Sequence, residues 1–286
     1  MKQKTFFLLF MVFIFAACSK DKDSDPRIVE DPVIDHTCVD LATLPSEWIT
    51  AAKSDLHIAY GHTSHGSQLT DGMTGLVAFK GNTYAWNNGG TGGALDLHDY
   101  AMNGDLGNPN FTQWEIETRN YLASNGDVNV IIWSWCGEVS GATEANINTY
   151  LNLMAGLEKD FPNVTFVYMT GHLDGTGLTG NLHLRNEQIR NYCRTYKKFL
   201  FDFADIESYN PDGVYFGDKK TNDNCDYDSN NDGSLDANWA IEWQDLHTES
   251  VDWFSCSSAH SQALNANMKA FAAWHLWARI AGWDGN

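Results

Sequence analysis

The sequence predicts an α/β protein whose parallel sheet is covered by helices on both sides. Two observations point to it. From about residue 45, short apolar runs of strand length alternate with segments of helical periodicity. Residues 128–133 (VNVIIW) are apolar almost without interruption, as in a strand buried on both faces. In chain order, 56–60 reads as a first strand, closed by Gly61, and 128–133 as a second. Residues 142–157 then set Ile147, Leu151, Met154 and Leu157 at helical spacing. A strand over 163–169, a helix over 181–198 and a strand over 199–203 follow. The last long helix, about 262–281, carries Leu264, Met268, Phe271 and Ala278 on one face, where His275 reads as a core histidine with a satisfied ring. In sheets of this kind a binding site lies at the carboxyl ends of the strands.

The N-terminus has a separate logic. Lys2 and Lys4 precede an apolar run over 6–15, followed by Ala16, Ala17 and Cys18, which predicts a signal peptide over 1–17. The run is about half the ~20 apolar residues a membrane-spanning helix needs. Residues 15–18 (FAAC) resemble the lipobox of bacterial lipoproteins, with Phe15 in place of the usual Leu. The resemblance implies lipidation of Cys18, export, and anchoring to the outer membrane, at the cell surface. Residues 18–36 read as a flexible, Asp-rich tether, like that of surface-exported lipoproteins, and 37–286 as one domain.

The full chain has a formal net charge of −19; without Lys2 and Lys4 the balance is 16 basic against 37 acidic residues, or −21. Such a surface repels phosphate backbones, which argues against nucleic acid as a partner, and leaves the lipid as the only membrane contact. The 11 Trp suit either packing or stacking on sugar rings. Setting Cys18 aside, five cysteines remain, and an odd number leaves at least one thiol free. Connectivity does not follow from sequence; Cys225 with Cys256, bracketing a polar insertion at about 207–256, is the pairing expected first.

Three strand ends carry polar, chemically capable residues. The first runs into Gly61-His62-Thr63-Ser64-His65-Gly66-Ser67-Gln68, the second into Ser134-Trp135-Cys136-Gly137-Glu138, and the third into Thr170-Gly171-His172-Leu173-Asp174. Glycines around Ser64 let the backbone turn sharply and leave N–H groups near a hydroxyl, which suits a nucleophile with an oxyanion hole. His260, just before the last helix, stands where a base could reach that turn.

With these residues the chain resembles the SGNH (GDSL-like) hydrolases, three-layer α/β/α, flavodoxin-like esterases and acetylhydrolases. Residues 61–66 (GHTSHG) are similar to a variant of their first block, 102–107 (MNGDLG) to the second, and 128–138 stands in place of the third. The resemblance covers roughly 55–282. It implies Ser64 as nucleophile and His260 as base, with the glycine N–H groups of Gly104 or Gly107 helping to hold the oxyanion. His62, His65, Gln68, Cys136, His172 and Asp174 are the expected oxyanion and substrate contacts. Two departures stand out: Ser257 replaces the acid three residues before the histidine, and Cys136 falls near the place of the third block's asparagine.

Asp228, Asn230, Asp232, Gly233 and Asp236 follow D-x-N-x-D-G-x-x-D, a spacing that wraps one Ca²⁺ and predicts a structural calcium loop in the insertion. Trp239 stands where an EF-hand has its bidentate acid. The expected function is therefore a surface lipoprotein acting as a serine esterase or acetylhydrolase on acylated glycans or small acyl esters, with no organic cofactor. Two alternatives stay open. One is a non-catalytic carbohydrate-binding lipoprotein on the same frame. The other is a metal-dependent hydrolase using His62, His65 and His172 with Asp174, and His98 or His183 in support.

Overall fold

The computed structural model describes residues 32–285; the signal peptide and Cys18 lie outside them. Its centre is a seven-stranded, wholly parallel sheet in the order β1-β7-β6-β5-β2-β4-β3. The strands are β1 (Val33–Ile34), β2 (His57–Gly61), β3 (Trp86–Asn87), β4 (Leu95–His98), β5 (Val130–Trp133), β6 (Thr165–Met169) and β7 (Leu200–Phe201). Taken in chain order, the five inner strands lie 2-1-3-4-5, the flavodoxin-like doubly wound order. The order reverses between β2 and β5, and at such a point the chain leaves both strand ends open for a site.

Helices α1 (Ser46–Asp55), α2 (Ser67–Lys80) and α9 (Ala263–Ala281) pack on one another, and α3 (Gln113–Ser124), α4 (Glu138–Gly141), α5 (Glu144–Asp160) and α6 (Asn181–Tyr196) form a second group. Continuous apolar strands need cover on both faces, and Ile58 to Tyr60 and Val130 to Ile132 are all buried. The 19-residue α9 is nearly encased, and α2 meets it so closely that a Cβ on Gly72 would stand 2.1 Å from the carbonyl oxygen of Ala266. His275 is 3 % exposed with Nε2 3.0 Å from Asp40 O, the satisfied core histidine that the pattern predicted.

Two expectations change. Residues 33 and 34, assigned to the tether, are buried as edge strand β1, because this β-branched pair extends the sheet beside β7. No disulfide joins Cys225 to Cys256; both are free, Cys225 Sγ lying 3.6 Å from Ser261 Oγ and Cys256 Sγ 3.4 Å from Asn267 Nδ2. Burial pushes the Cys256 thiol up to about 12, so it stays protonated. Of the two roles open to the 11 Trp, packing is the one taken by Trp114, Trp135, Trp239, Trp274 and Trp277, which are fully buried. After the short α7 (Phe203–Ile206), the insertion folds as a hairpin of β8 (Asp226–Tyr227) and β9 (Ala237–Asn238) followed by α8 (Trp239–Leu246). No described helix is long and apolar enough to cross a membrane.

Candidate active site at the carboxyl edge of the sheet

The turn from β2 into α2 places Ser64 and His65 at the switch point, and the turn after β5 places Cys136 opposite them. Cys136 Sγ lies 3.4 Å from Ser64 Oγ and 3.2 Å from His65 Nδ1. The other ring nitrogen, His65 Nε2, is 2.9 Å from Asp223 Oδ2. A thiol, an imidazole and a carboxylate thus stand in one hydrogen-bonded line, the arrangement that activates a nucleophile through an oriented base. Burial is the main influence on His65 and holds its imidazole below the usual histidine range, against the opposing pull of Asp223. Burial also opposes the charge of Asp223, but its bond to His65 and the proximity of His172 outweigh that and keep its carboxyl below the usual range. Cys136 is half-buried and free of any disulfide.

Two further histidines complete a stack. His172 lies parallel to His65 at 3.8 Å between ring centroids, and His260 at 4.4 Å. His260 therefore does reach the first strand's loop, although the side-chain hydrogen bond of Ser64 goes to Cys136 and not to His260. His172 has Nδ1 2.9 Å from its neighbour's carbonyl, Leu173 O, which leaves Nε2 as the acceptor nitrogen. His260 is exposed and adopts φ +62°, a left-handed conformation that costs about 1 kcal/mol or more for a residue with a side chain.

A buried polar network fixes the loops that carry these rings. Gln68 Nε2 donates to Ala259 O at 2.5 Å, beside His260, and its Oε1 accepts from Lys269 Nζ. Lys269, on α9 and fully buried, donates to Glu207 Oε1 at 2.5 Å. The other oxygen of Glu207 accepts from Leu173 N at 2.9 Å, next to His172. Gln68 is thus not a substrate contact; with 0 % exposure it ties α2 to the segment before α9.

The remaining expected residues divide. Gly107 lies against Trp135 and Glu138, at the rim of the site, whereas Gly104 has φ +92° and approaches only Asn108 O within its own turn. The backbone N–H groups of Cys136 and Gly137 both donate to Glu138 Oε2, at 2.9 and 3.0 Å. Burial raises the Glu138 carboxyl above its usual range, with Asp105 nearby adding to it. His62 is 1 % exposed and engaged at both nitrogens, by Thr63 O at 2.8 Å and Asp99 Oδ1 at 2.7 Å, so it supports the turn and does not face a substrate. His98 pairs with Asp96, and Asp174 accepts from Ser140 and Thr176. The metal set of His62, His65 and His172 with Asp174 is therefore not assembled, because only His65 and His172 converge. A cavity of about 180 Å³ lies beyond Leu173 and Asp174, lined also by His183, Arg190, Tyr209 and Tyr215.

In the insertion, Asp228 is 2 % exposed and its two oxygens accept from Asp232 N at 3.1 Å and Gly233 N at 2.9 Å. Asn230 accepts from Asp232 N, and Asp236 from Ser229 N at 3.0 Å. Lys220 Nζ stands 4.0 Å from Asp228 Oδ2.

Asp223 is the member that sequence reasoning missed. The acid was sought three residues before His260, where Ser257 stands, and it comes instead from the insertion, close to His65 only in space. Asp223 lies in an acidic, Asn-rich stretch with nothing to single it out. No family model, curated protein or solved structure matches the chain.

Proposed function

We propose that the chain hydrolyses carboxylic esters at this edge of the sheet, with Cys136 as nucleophile, His65 as base and Asp223 orienting His65. The observation that supports it above all is the line Cys136–His65–Asp223, with contacts of 3.2 and 2.9 Å. His65 Nδ1 takes the thiol proton, the sulfur attacks the ester carbonyl, and the same nitrogen returns the proton to the departing alkoxide. Water then attacks the thioester, again with His65 as base, and frees the acid and the thiol. Donors for the oxyanion are the Ser64 hydroxyl and the N–H groups of Cys136 and Gly137, for which an arriving oxyanion competes with Glu138. The Asp223 carboxylate stabilises the imidazolium formed in each step.

A second reading keeps Ser64 as nucleophile, as the SGNH-like resemblance implies. It is favoured by the position of Ser64 in the turn after β2, with Oγ 3.4 Å from the sulfur. Hydrolysis of small acyl esters by Cys136→Ala and Ser64→Ala separates the two. With Cys136 as nucleophile, Cys136→Ala loses nearly all activity and a thiol alkylating agent abolishes it. Ser64→Ala then loses about 10²–10³-fold, the usual loss of one oxyanion donor. Full activity in Cys136→Ala would overturn the cysteine mechanism; absence of activity in every form would leave a glycan-binding protein. Acylated glycans are the proposed natural substrates, supported by the predicted surface anchoring through Cys18. We also propose Ca²⁺ in loop 228–236, supported by the oxygen-bearing side chains at alternate positions around a turn with Gly233 at φ +95°.

A further inference from the structure

We propose that His65, Asp223 and His260 form a site for one divalent transition-metal ion of the zinc class. The three come from separate parts of the chain: the turn after β2, the insertion, and the segment before α9. One ligand atom from each lies within 4.8 Å of the other two. Two of them already converge: His65 Nε2 and Asp223 Oδ2 are 2.9 Å apart, in a hydrogen bond that an ion would replace. Two metal bonds of about 2.1 Å at the tetrahedral angle put their donor atoms about 3.4 Å apart, so an ion replaces the hydrogen bond by opening this pair about half an ångström. His260 completes the set by turning its ring out of the stack on His65, so that its in-plane lone pair faces the ion, and moving inward by roughly 1–2 Å. Its side chain is exposed, so the swing displaces no core residue.

The surroundings favour a metal in other ways. A ligating imidazole is normally held by a partner on its second nitrogen, which fixes the ring and the tautomer. His65 Nδ1 has that partner in Cys136 Sγ at 3.2 Å. Two neutral imidazoles and one carboxylate leave a divalent ion with one net positive charge, which the acidic chain, at −19, attracts. Nitrogen donors select a transition metal over Ca²⁺ or Mg²⁺. The exposed side toward His260 leaves a position open to water or an added ligand.

A second His–carboxylate cluster shows what a purely structural one looks like. Asp35, His36 and Asp205 also lie close together. There, Asp205 Oδ1 accepts from both the backbone N–H and the ring of His36, and the ring is stacked on Tyr209 at 3.5 Å. These contacts tie the start of the domain to α7, whereas the ring of His260 has no hydrogen-bond partner among the described residues.

The consequence for catalysis rests on the hydrolase reading; the binding does not. A metal on His65 Nε2 moves the ring proton to Nδ1, where the base needs a free lone pair, and replaces the Asp223 contact that orients the ring. The metal-bound form and the ester-cleaving form therefore exclude each other, and zinc acts as an inhibitor.

The test is titration of zinc chloride into the metal-stripped full chain, with calcium in excess to occupy loop 228–236, followed by calorimetry and by ester hydrolysis in the same samples. The expected result is one equivalent bound at micromolar affinity or tighter, weakened at least tenfold by Asp223→Asn and by His260→Ala, with hydrolysis lost at one equivalent and restored by a chelator. Thermal melting of each variant shows that it is folded. Absence of saturable binding, or binding unchanged in both variants, overturns the site. Hydrolysis that persists with one zinc bound overturns the mutual exclusion. Zinc bound at the site in a chain that never hydrolyses esters overturns the hydrolase reading and leaves the metal site standing.

Discussion

Asp223 separates orientation from proton transfer, because it touches His65 Nε2 while Cys136 faces Nδ1. Asp223→Asn keeps the shape but presents an amide that cannot stabilise the imidazolium. We predict a fall in kcat of about 10²–10⁴-fold with KM little changed, in line with loss of the acid in other triads. Steady-state ester kinetics check this, and an unaltered kcat would remove Asp223 from the mechanism. Ser64, His65, Cys136, His172 and His260 were legible as candidates because each flanks a recognisable strand end or helix start. Their roles were not. Whether a histidine meets a thiol, a carbonyl or a carboxylate depends on partners 71 and 158 residues away, as His65 shows with Cys136 and Asp223.

At the scale of elements, α9 does more than close the core. Lys269 joins Gln68 at the start of α2 to Glu207 after α7, and so couples the loops of His65, His260 and His172. Burial pushes the Lys269 ammonium below its usual range and Glu207 opposes the shift, so the pair depends on both members. Lys269→Met leaves Glu207 buried without its cation, and we expect a loss of about 3–5 kcal/mol in urea unfolding. Lys269→Met combined with Glu207→Gln should recover much of it; an equal or greater loss in the double variant would show that the ion pair is not the cause. The loop over 228–236 carries its own prediction: millimolar Ca²⁺ should raise the melting temperature, and Asp232→Asn should reduce the rise. An equal rise in wild type and variant would place the ion elsewhere. Helices α5, α6 and α9 were readable from periodicity, α9 to within a residue of its expected start, whereas α1 and α3 were not singled out. Helix α2 was not readable either, because Gly72 and Gly75 interrupt its pattern for the sake of close approach to α9 and Phe254. Strands β1, β3 and β4 have two to four residues, too few for a period to show.

For the whole molecule, buried histidines make stability depend on pH. Burial lowers His275 below its usual range, while its bond to Asp40 O opposes the shift. The unfolded chain then takes up the proton first as pH falls, so this contribution is complete above about 6.5 and is lost on acidification through the lowered folded value. His65 shifts in the same direction. We predict that the urea midpoint falls between about pH 7 and pH 5, and that His275→Gln flattens the slope. A slope unchanged in that variant would assign the effect to other groups. The sequence by itself determined the alternation that makes a parallel sheet, the polar strand ends that mark the candidate site, the acidic character and the expectation of export through Cys18, because each is written in local pattern or composition. Only the tertiary structure decided that β1 belongs to the sheet, that Cys225 and Cys256 stay apart, and that Cys136, His65 and Asp223 meet. Those outcomes depend on which distant segments share a surface once the core is buried, and hydrophobic burial is indifferent to the polar residues that it brings together at its edge.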